Sequence, residues 1–255
     1  APGWACRAQP LELCSAKAKL SWVTPALSSR QRSPQVLRRG VQTLRGQASG
    51  AGQDLKELFD IYEAPKSVND FRGEPKSAGY NKQRTLVHAE GDWHRAIHIW
   101  LYTPDGKLVV QKRAPGKDTF PGKWDVSVGG HITAGDSVME TALKEVQEEL
   151  GIDIEMSDLE PLATIATTCT GESPVQGPFT CNEYKDLFLL KFTGKVQDLS
   201  FGADEVEKVD SVDWREVRKD LESQVGDGPP HIDGKYIPRP RHYLDVLFSA
   251  LESKF

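Results

Sequence analysis

Apolar residues recur along this chain at two periods, and the change of period marks out its elements. Leu86-Val87-His88, and then Ala96 to Tyr102, are short apolar runs of the kind that form strands. Thr103-Pro104-Asp105-Gly106 is a strong turn signal, and the apolar pattern resumes over Lys107 to Arg113. These pieces predict a hairpin. Trp124 to Val128 reads as a further short strand ending in Gly129-Gly130, whose missing side chains suit a tight exit into a binding loop.

The period then lengthens. Val138, Ala142, Val146 and Leu150 stand at steps of four, which predicts one buried stripe on a helix. Ser137 and Glu140 form an S-x-x-E capping box, Asp136 sits beside the positive helix end, and Gly151 is a stop signal. Elsewhere the pattern is plainer. Leu58, Phe59 and Ile61 suit a short helix or strand within Asp54 to Tyr62, while 63–82, rich in Pro, Gly, Lys and Ser, predicts loop. Leu162 to Thr167 and Tyr184 to Phe192 predict strands, joined by a loop that holds Cys169 and Cys181. Val206 to Trp214 predicts a strand and Trp214 to Ser223 a helix; Gly226 to Pro240 predicts a loop. Tyr243, Leu244, Leu247, Phe248 and Leu251 predict a closing amphipathic helix. Strands dominate and helices flank them, so the fold class is α/β with a mixed sheet, without internal repeat.

Charge divides the chain in two. Residues 1–53 hold eight Lys or Arg against the single acid Glu12, and 54–255 carry a net charge of −12. Arg-rich, Ser-rich and acid-poor describes an organelle transit peptide, of chloroplast or mitochondrion; a disordered basic tail, in a cytoplasmic protein, is the alternative. Leu37, Val41 and Leu44 among Arg38, Arg39 and Arg45 give the segment a short basic amphipathic pattern. The globular domain is then 54–255, and its acidity makes it a poor partner for a nucleic-acid polymer. With no run of about eighteen apolar residues, a membrane-spanning helix is not expected. Four cysteines without zinc-knuckle spacing point to a reduced compartment, and oligomeric state is left open.

The chemistry concentrates in Gly130 to Ile152. Glu145, Glu148 and Glu149 fall at i, i+3 and i+4, so three carboxylates share one helix face. Like charges repel there unless a cation sits among them, and a hard, oxygen-seeking ion such as magnesium fits. From the triad alone a solvated acidic face is an equal reading. Lys112, Arg113 and Lys117 lie in or beside the preceding loop, where they could hold phosphate oxygens.

The whole stretch resembles the Nudix box, G-x5-E-x7-R-E-U-x-E-E-x-G-U with U bulky and aliphatic. Gly130 opens it, Glu145-Val146 and Glu148-Glu149 are intact, and Gly151-Ile152 closes it. Asp136 replaces the family's first Glu, and Lys144 its Arg, losing the guanidinium fork that helps fix the glutamates. The resemblance implies a Nudix-type α/β/α sandwich with one catalytic carboxylate helix. It implies Glu145, Glu148 and Glu149 as ligands for Mg2+, with Mn2+ as a possible substitute, and hydrolysis of a small-molecule diphosphate. Lys112, Arg113, Lys117, Gly129 and Gly130 are the expected substrate-binding residues. Glu205 is the candidate base from a later loop, with Glu183 as another.

The resemblance extends beyond the box, over about residues 56–250, to a branch of the family similar to type 1 isopentenyl-diphosphate isomerase, carried by His88, Asp92 to Trp100, Gln111-Lys112-Arg113 and Lys117 to Asp125. In this branch the present chain resembles the Nudix part of a plant fusion protein. The isomerase has a catalytic Cys between its Phe-Pro-Gly and the next His. Here no thiol lies between Phe120 and His131, Val128 standing at the counted position, so isomerase activity is disfavoured. A non-catalytic phosphate-ligand sensor is a third reading, opposed by the intact glutamates. His94 and His98, four apart in a strand-like run, read as core residues rather than metal ligands.

Overall fold

The strand Trp93–Tyr102 is the axis of the sheet, because four other strands pair with it. A computed structural model describes residues 56–255 except 118, 174–176, 203, 227–229 and 231. The expected address segment, 1–53, lies outside the described residues. In chain order the elements are β1 (Leu58–Tyr62), β2 (Ser77–Gln83), α1 (Arg84–Glu90), β3 (Trp93–Tyr102), β4 (Lys107–Arg113), β5 (Trp124–Asp125) and β6 (Val128–His131). There follow α2 (Val138–Leu150), β7 (Leu159–Ser173), β8 (Gly177–Lys191), β9 (Val206–Asp213), α3 (Trp214–Ser223) and α4 (Arg241–Glu252).

β3 pairs antiparallel with β1, β4 and β6, and parallel with β8 along its whole length, from Trp93↔Asn182 to Tyr102↔Lys191. β8 carries β7 antiparallel, and β4 carries β9 and β5 antiparallel. The sheet is therefore mixed, as expected. Its two faces follow from the period-two alternation of side chains. Ile97, Ile99 and Leu101 turn toward α2, where Ala142, Val146 and Leu150 bury the predicted stripe. Trp100 turns to the other face and packs with Trp214, Val217 and Leu221 of α3 and Tyr243, Leu247 and Phe248 of α4. That is an α/β/α sandwich. Among the described residues, no helix is long and apolar enough to cross a membrane.

α2 begins as the sequence predicts. The Ser137 hydroxyl accepts from the Glu140 amide and the Glu140 carboxylate accepts from the Ser137 amide, a complete capping box. It ends at Gly151 in the left-handed region, φ 68.

Four expectations change. Leu86-Val87-His88 belongs to helix α1, not a strand, and part of the expected loop 63–82 is strand β2. Gly129-Gly130 is paired strand rather than a turn, opposite His98 and Ile97. Cys169 and Cys181 stand in β7 and β8 as direct cross-strand partners, not in the loop between. The turn and both strands of the predicted hairpin form, but β3 and β4 pair only at Leu101↔Val109 and Tyr102↔Leu108 before they splay. The splay lets β6 pair with β3, and a cavity opens beside it.

Candidate active site

A cavity of about 490 Å³ opens at the splay, lined from β3, β4, β6, α2, β7 and β8. Glu145 and Glu149, one helical turn apart on α2, reach into it. Glu149 Oε2 accepts from the Gly129 amide and from Gln111 Nε2, both at 3.3 Å. Glu145 lies against Gly130 so closely that a Cβ there would sit 2.5 Å from its Oε1. This is the physical reason for glycine at Gly130: the strand must pass directly under a carboxylate.

Burial first, and then Glu148, push the Glu145 carboxyl up to about 7. Burial, and then Glu145, push Glu149 well above the ordinary carboxylate range, against the Gly129 amide. Glu205 and Glu57 add to the repulsion on Glu145. The cavity wall therefore holds an all-oxygen set of converging acids that a hard divalent cation would neutralise, so the residues fit such an ion. Glu148 does not line the cavity. It stands on the exposed side of the turn, 4.0 Å from Lys144.

The expected substrate-binding residues separate. Arg113, Lys117, Gly129 and Gly130 line the cavity; Lys112 does not. Adjacent residues of a strand face opposite ways, so Gln111 and Arg113 turn inward while Lys112 turns out to Glu207 at 2.7 Å. Arg113 is held by Asp125 at 3.4 Å and by Thr119, and Lys117 pairs with Glu205 at 2.9 Å. Arg239, from the loop before α4, reaches the other Asp125 oxygen. Glu205 thus sits in the cavity wall, between a cation and the two α2 acids that feel its charge. Glu183 also lines the cavity, but Lys185 and His131 outweigh its burial and hold it well below the usual range.

At the cavity wall is a group that the sequence pattern does not reveal; three of its four members, His88, His131 and Cys181, line the cavity. His88 from α1, His94 from β3, His131 from β6 and Cys181 from β8 bring one ligand atom each within 4.8 Å of one another. His88 Nε2 lies 3.4 Å from His94 Nε2, and Cys181 Sγ 4.0 Å from the same nitrogen. Phe59 stacks on His94 and His131 with centroids 5.1 and 4.8 Å apart. Burial first, and then the positive charge of neighbours, lowers His88 and His94 to about 3 and His131 to about 4. These are neutral imidazoles, the form that binds metals. His94 and His98 part company: His98 lines the cavity and takes the Tyr243 hydroxyl at 3.0 Å, while His94 is fully buried beside His88 and Cys181. Strand spacing hid the convergence, because its members come from four elements. Arg84 and Glu57 were missed for the same reason; they pair at 3.1 Å between the acids and the histidines.

Val128 is fully buried in the core facing α2, so the counted position for an isomerase thiol does not face the cavity. Its neighbour Gly129 does, and offers no thiol either. The cavity's cysteines are Cys169 and Cys181.

This geometry can be set beside that of known proteins. The family model described as NUDIX domain matches residues 92–230. A protein named Nudix hydrolase 3, of Arabidopsis thaliana, is 32% identical over 165 residues, 63% of this chain and 21% of that protein. The chain therefore spans about a fifth of that relative's length. An isopentenyl-diphosphate Delta-isomerase of Serratia proteamaculans is 29% identical over 139 residues, 54% of this chain and 70% of the relative. A crystal structure from Deinococcus radiodurans aligns over 78% of this chain and 99% of its own, with TM-score 0.48 and 19% identity.

Proposed function

Because the chain belongs to the Nudix hydrolase family, we propose that it hydrolyses a diphosphate linkage in a small organic substrate with the help of magnesium or manganese. The observation that carries this reading is the pair Glu145 and Glu149, pressed into the cavity over Gly130 and Gly129 with their carboxyls pushed up by burial and mutual repulsion. They would hold the ion, and Glu148 adds charge from outside the cavity lining. When bound, the ion neutralises phosphoryl charge and makes a water more acidic.

The rest is done by the chain. Arg113 and Lys117, fixed by Asp125 and Glu205, offer N–H donors to phosphate oxygens from the cavity wall. Glu205 takes the proton of the attacking water and Lys117 keeps that carboxylate oriented. The named activity of the Serratia relative, isomerisation, is the second reading. It is disfavoured because the cavity-facing neighbour of Val128 is Gly129, which offers no thiol.

The test is a phosphate-release screen over organic diphosphates, with isopentenyl diphosphate included and its double-bond position followed. Turnover should vanish with EDTA, return with magnesium or manganese, and fall by about 10²-fold or more in Glu205→Gln, the size expected for a lost acid–base group. Glu149→Gln should be inactive. Turnover that survives both EDTA and Glu149→Gln would refute the proposal, and a shifted double bond without phosphate release would favour the isomerase.

A further inference from the structure

His98 is only 7% exposed, yet it lines the cavity. Its two ring nitrogens have different fates. Nδ1 lies 3.0 Å from the Tyr243 hydroxyl oxygen, and the same oxygen takes the Trp100 indole N–H at 2.7 Å. An indole N–H can only donate, so the phenol oxygen accepts that bond. The phenol proton then needs an acceptor of its own, because Tyr243 is fully buried. Among the described residues, the acceptor within reach is His98 Nδ1. That nitrogen therefore carries a lone pair, the ring is neutral, and its one proton sits on Nε2. Burial, and then Lys185 and Arg239, hold the ring in the same neutral form.

The described residues supply no partner for Nε2. His98 pairs directly with Gly129 across β3 and β6, and the Gly129 amide is the donor to Glu149. A Cβ on Gly129 would sit 3.5 Å from His98 Cδ2, the atom bonded to Nε2, and 3.3 Å from Val126 Cγ1. The donor edge of the ring thus lies one strand spacing, about 4.8 Å, from the backbone that holds the acid, with an apolar side chain beside it. Arg239 lies over the Tyr243 ring, and its loop brings Ile237 and Pro238 to the cavity wall. This wall suits the organic part of a substrate, since Arg113 and Lys117 already supply charged donors for phosphate oxygens.

We propose that His98 determines specificity: its Nε2–H, fixed by Tyr243, donates to a neutral oxygen or nitrogen near the ester end of the substrate's organic group. A sugar or another oxygenated chain provides such an acceptor; a hydrocarbon does not. This rests on the diphosphatase reading of the cavity and narrows its substrates to diphosphates of oxygenated organic groups. A hydrocarbon in the same place would leave a buried N–H unpaired. A site built around a hydrogen bond rejects the analogue that lacks it more strongly than an apolar pocket rejects a change of size. Tyr243 is a positioning residue, acting on the substrate only through the tautomer it imposes on His98.

The experiment uses the full chain with magnesium and two probes, the methoxyethyl and butyl esters of methylenediphosphonate. They are matched in length, differ by one ether oxygen in place of a methylene, and carry a P–C–P bridge that resists the proposed hydrolysis. Nitrogen correlation spectra of isotope-labelled histidine should show His98 protonated at Nε2 and bare at Nδ1, and its Nε2 proton should shift when the ether probe is added. Calorimetry should give at least about 10-fold tighter binding of the ether than of the butyl probe. Tyr243→Phe should mix the two tautomers. In His98→Phe the ether should lose its advantage while the butyl probe binds as before. A proton on Nδ1, no binding of the ether probe, or equal binding of the two would each overturn the proposal on the unaltered chain, whether or not a variant folds. A preference that survives His98→Phe would do the same, as would equal weakening of both probes, which would place the donor on phosphate. Every readout is taken without turnover. A chain that releases phosphate in the diphosphate screen yet treats the probes alike keeps the hydrolase reading and loses this one.

Discussion

At the scale of single residues, the site depends on what is missing at Gly130. A methyl group there would overlap the Glu145 side chain, with three of its atoms within 2.8 Å of the added carbon. Gly130→Ala should lower kcat by more than about 10-fold by displacing that carboxylate, of the order that misplacing a catalytic group produces, while the unfolding midpoint moves little. Steady-state kinetics beside thermal unfolding would check it; unchanged kcat would show that Glu145 can retreat without loss. The sequence made Glu145, Glu149 and Gly130 legible because they belong to one short pattern. It left Glu57, Arg84 and His131 unread as partners, since their meeting is a product of tertiary pairing. The outward turn of Lys112 needs only strand geometry: in a strand, Lys112 and Arg113 cannot both face the cavity.

At the scale of elements, α2 is readable because each local signal agrees with the others: cap, stripe and stop all mark the same thirteen residues. Ser137→Ala removes the hydroxyl that accepts the Glu140 amide and should destabilise the protein by about 1 kcal/mol, measured by urea unfolding. A change below a few tenths would mean that water replaces the cap. α1 reads as a strand because Leu86-Val87-His88 is too short for its period to show, and its buried side is filled partly by Arg84 and His88. β2 escapes notice for the opposite reason. Its residues, Ser-Ala-Gly-Tyr-Asn-Lys-Gln, lie at the sheet edge and bury little, so no apolar alternation announces them.

At the scale of the molecule, the sheet buries histidines as neutral bases, and this sets its response to acid. Burial first, then Lys185 and Arg239, hold His98 well below its ordinary value, and burial lowers His242. A base whose folded pKa is depressed contributes stability above its unfolded pKa of about 6.5, and that contribution is lost as pH falls below it. Between about pH 7.5 and pH 5.5 the raised carboxyls of Glu145 and Glu149 act in the opposite sense, so the histidine contribution is read as a difference. The urea midpoint should fall relative to that of His98→Asn across this window, and a difference that stays flat or rises would contradict this. The mixed sheet has a further consequence, in time rather than in energy. Arg95 of β3 and Asp186 of β8 form an ion pair across 91 residues of chain, along the parallel seam that also sets His94 beside Glu183. Closing a loop of that length carries an entropic barrier of about 4 kcal/mol, and contacts so distant in sequence assemble over milliseconds to seconds, long after α2 can form. The acids on α2 exist early as a helix face. The cavity that gives them a purpose is among the last things the chain makes.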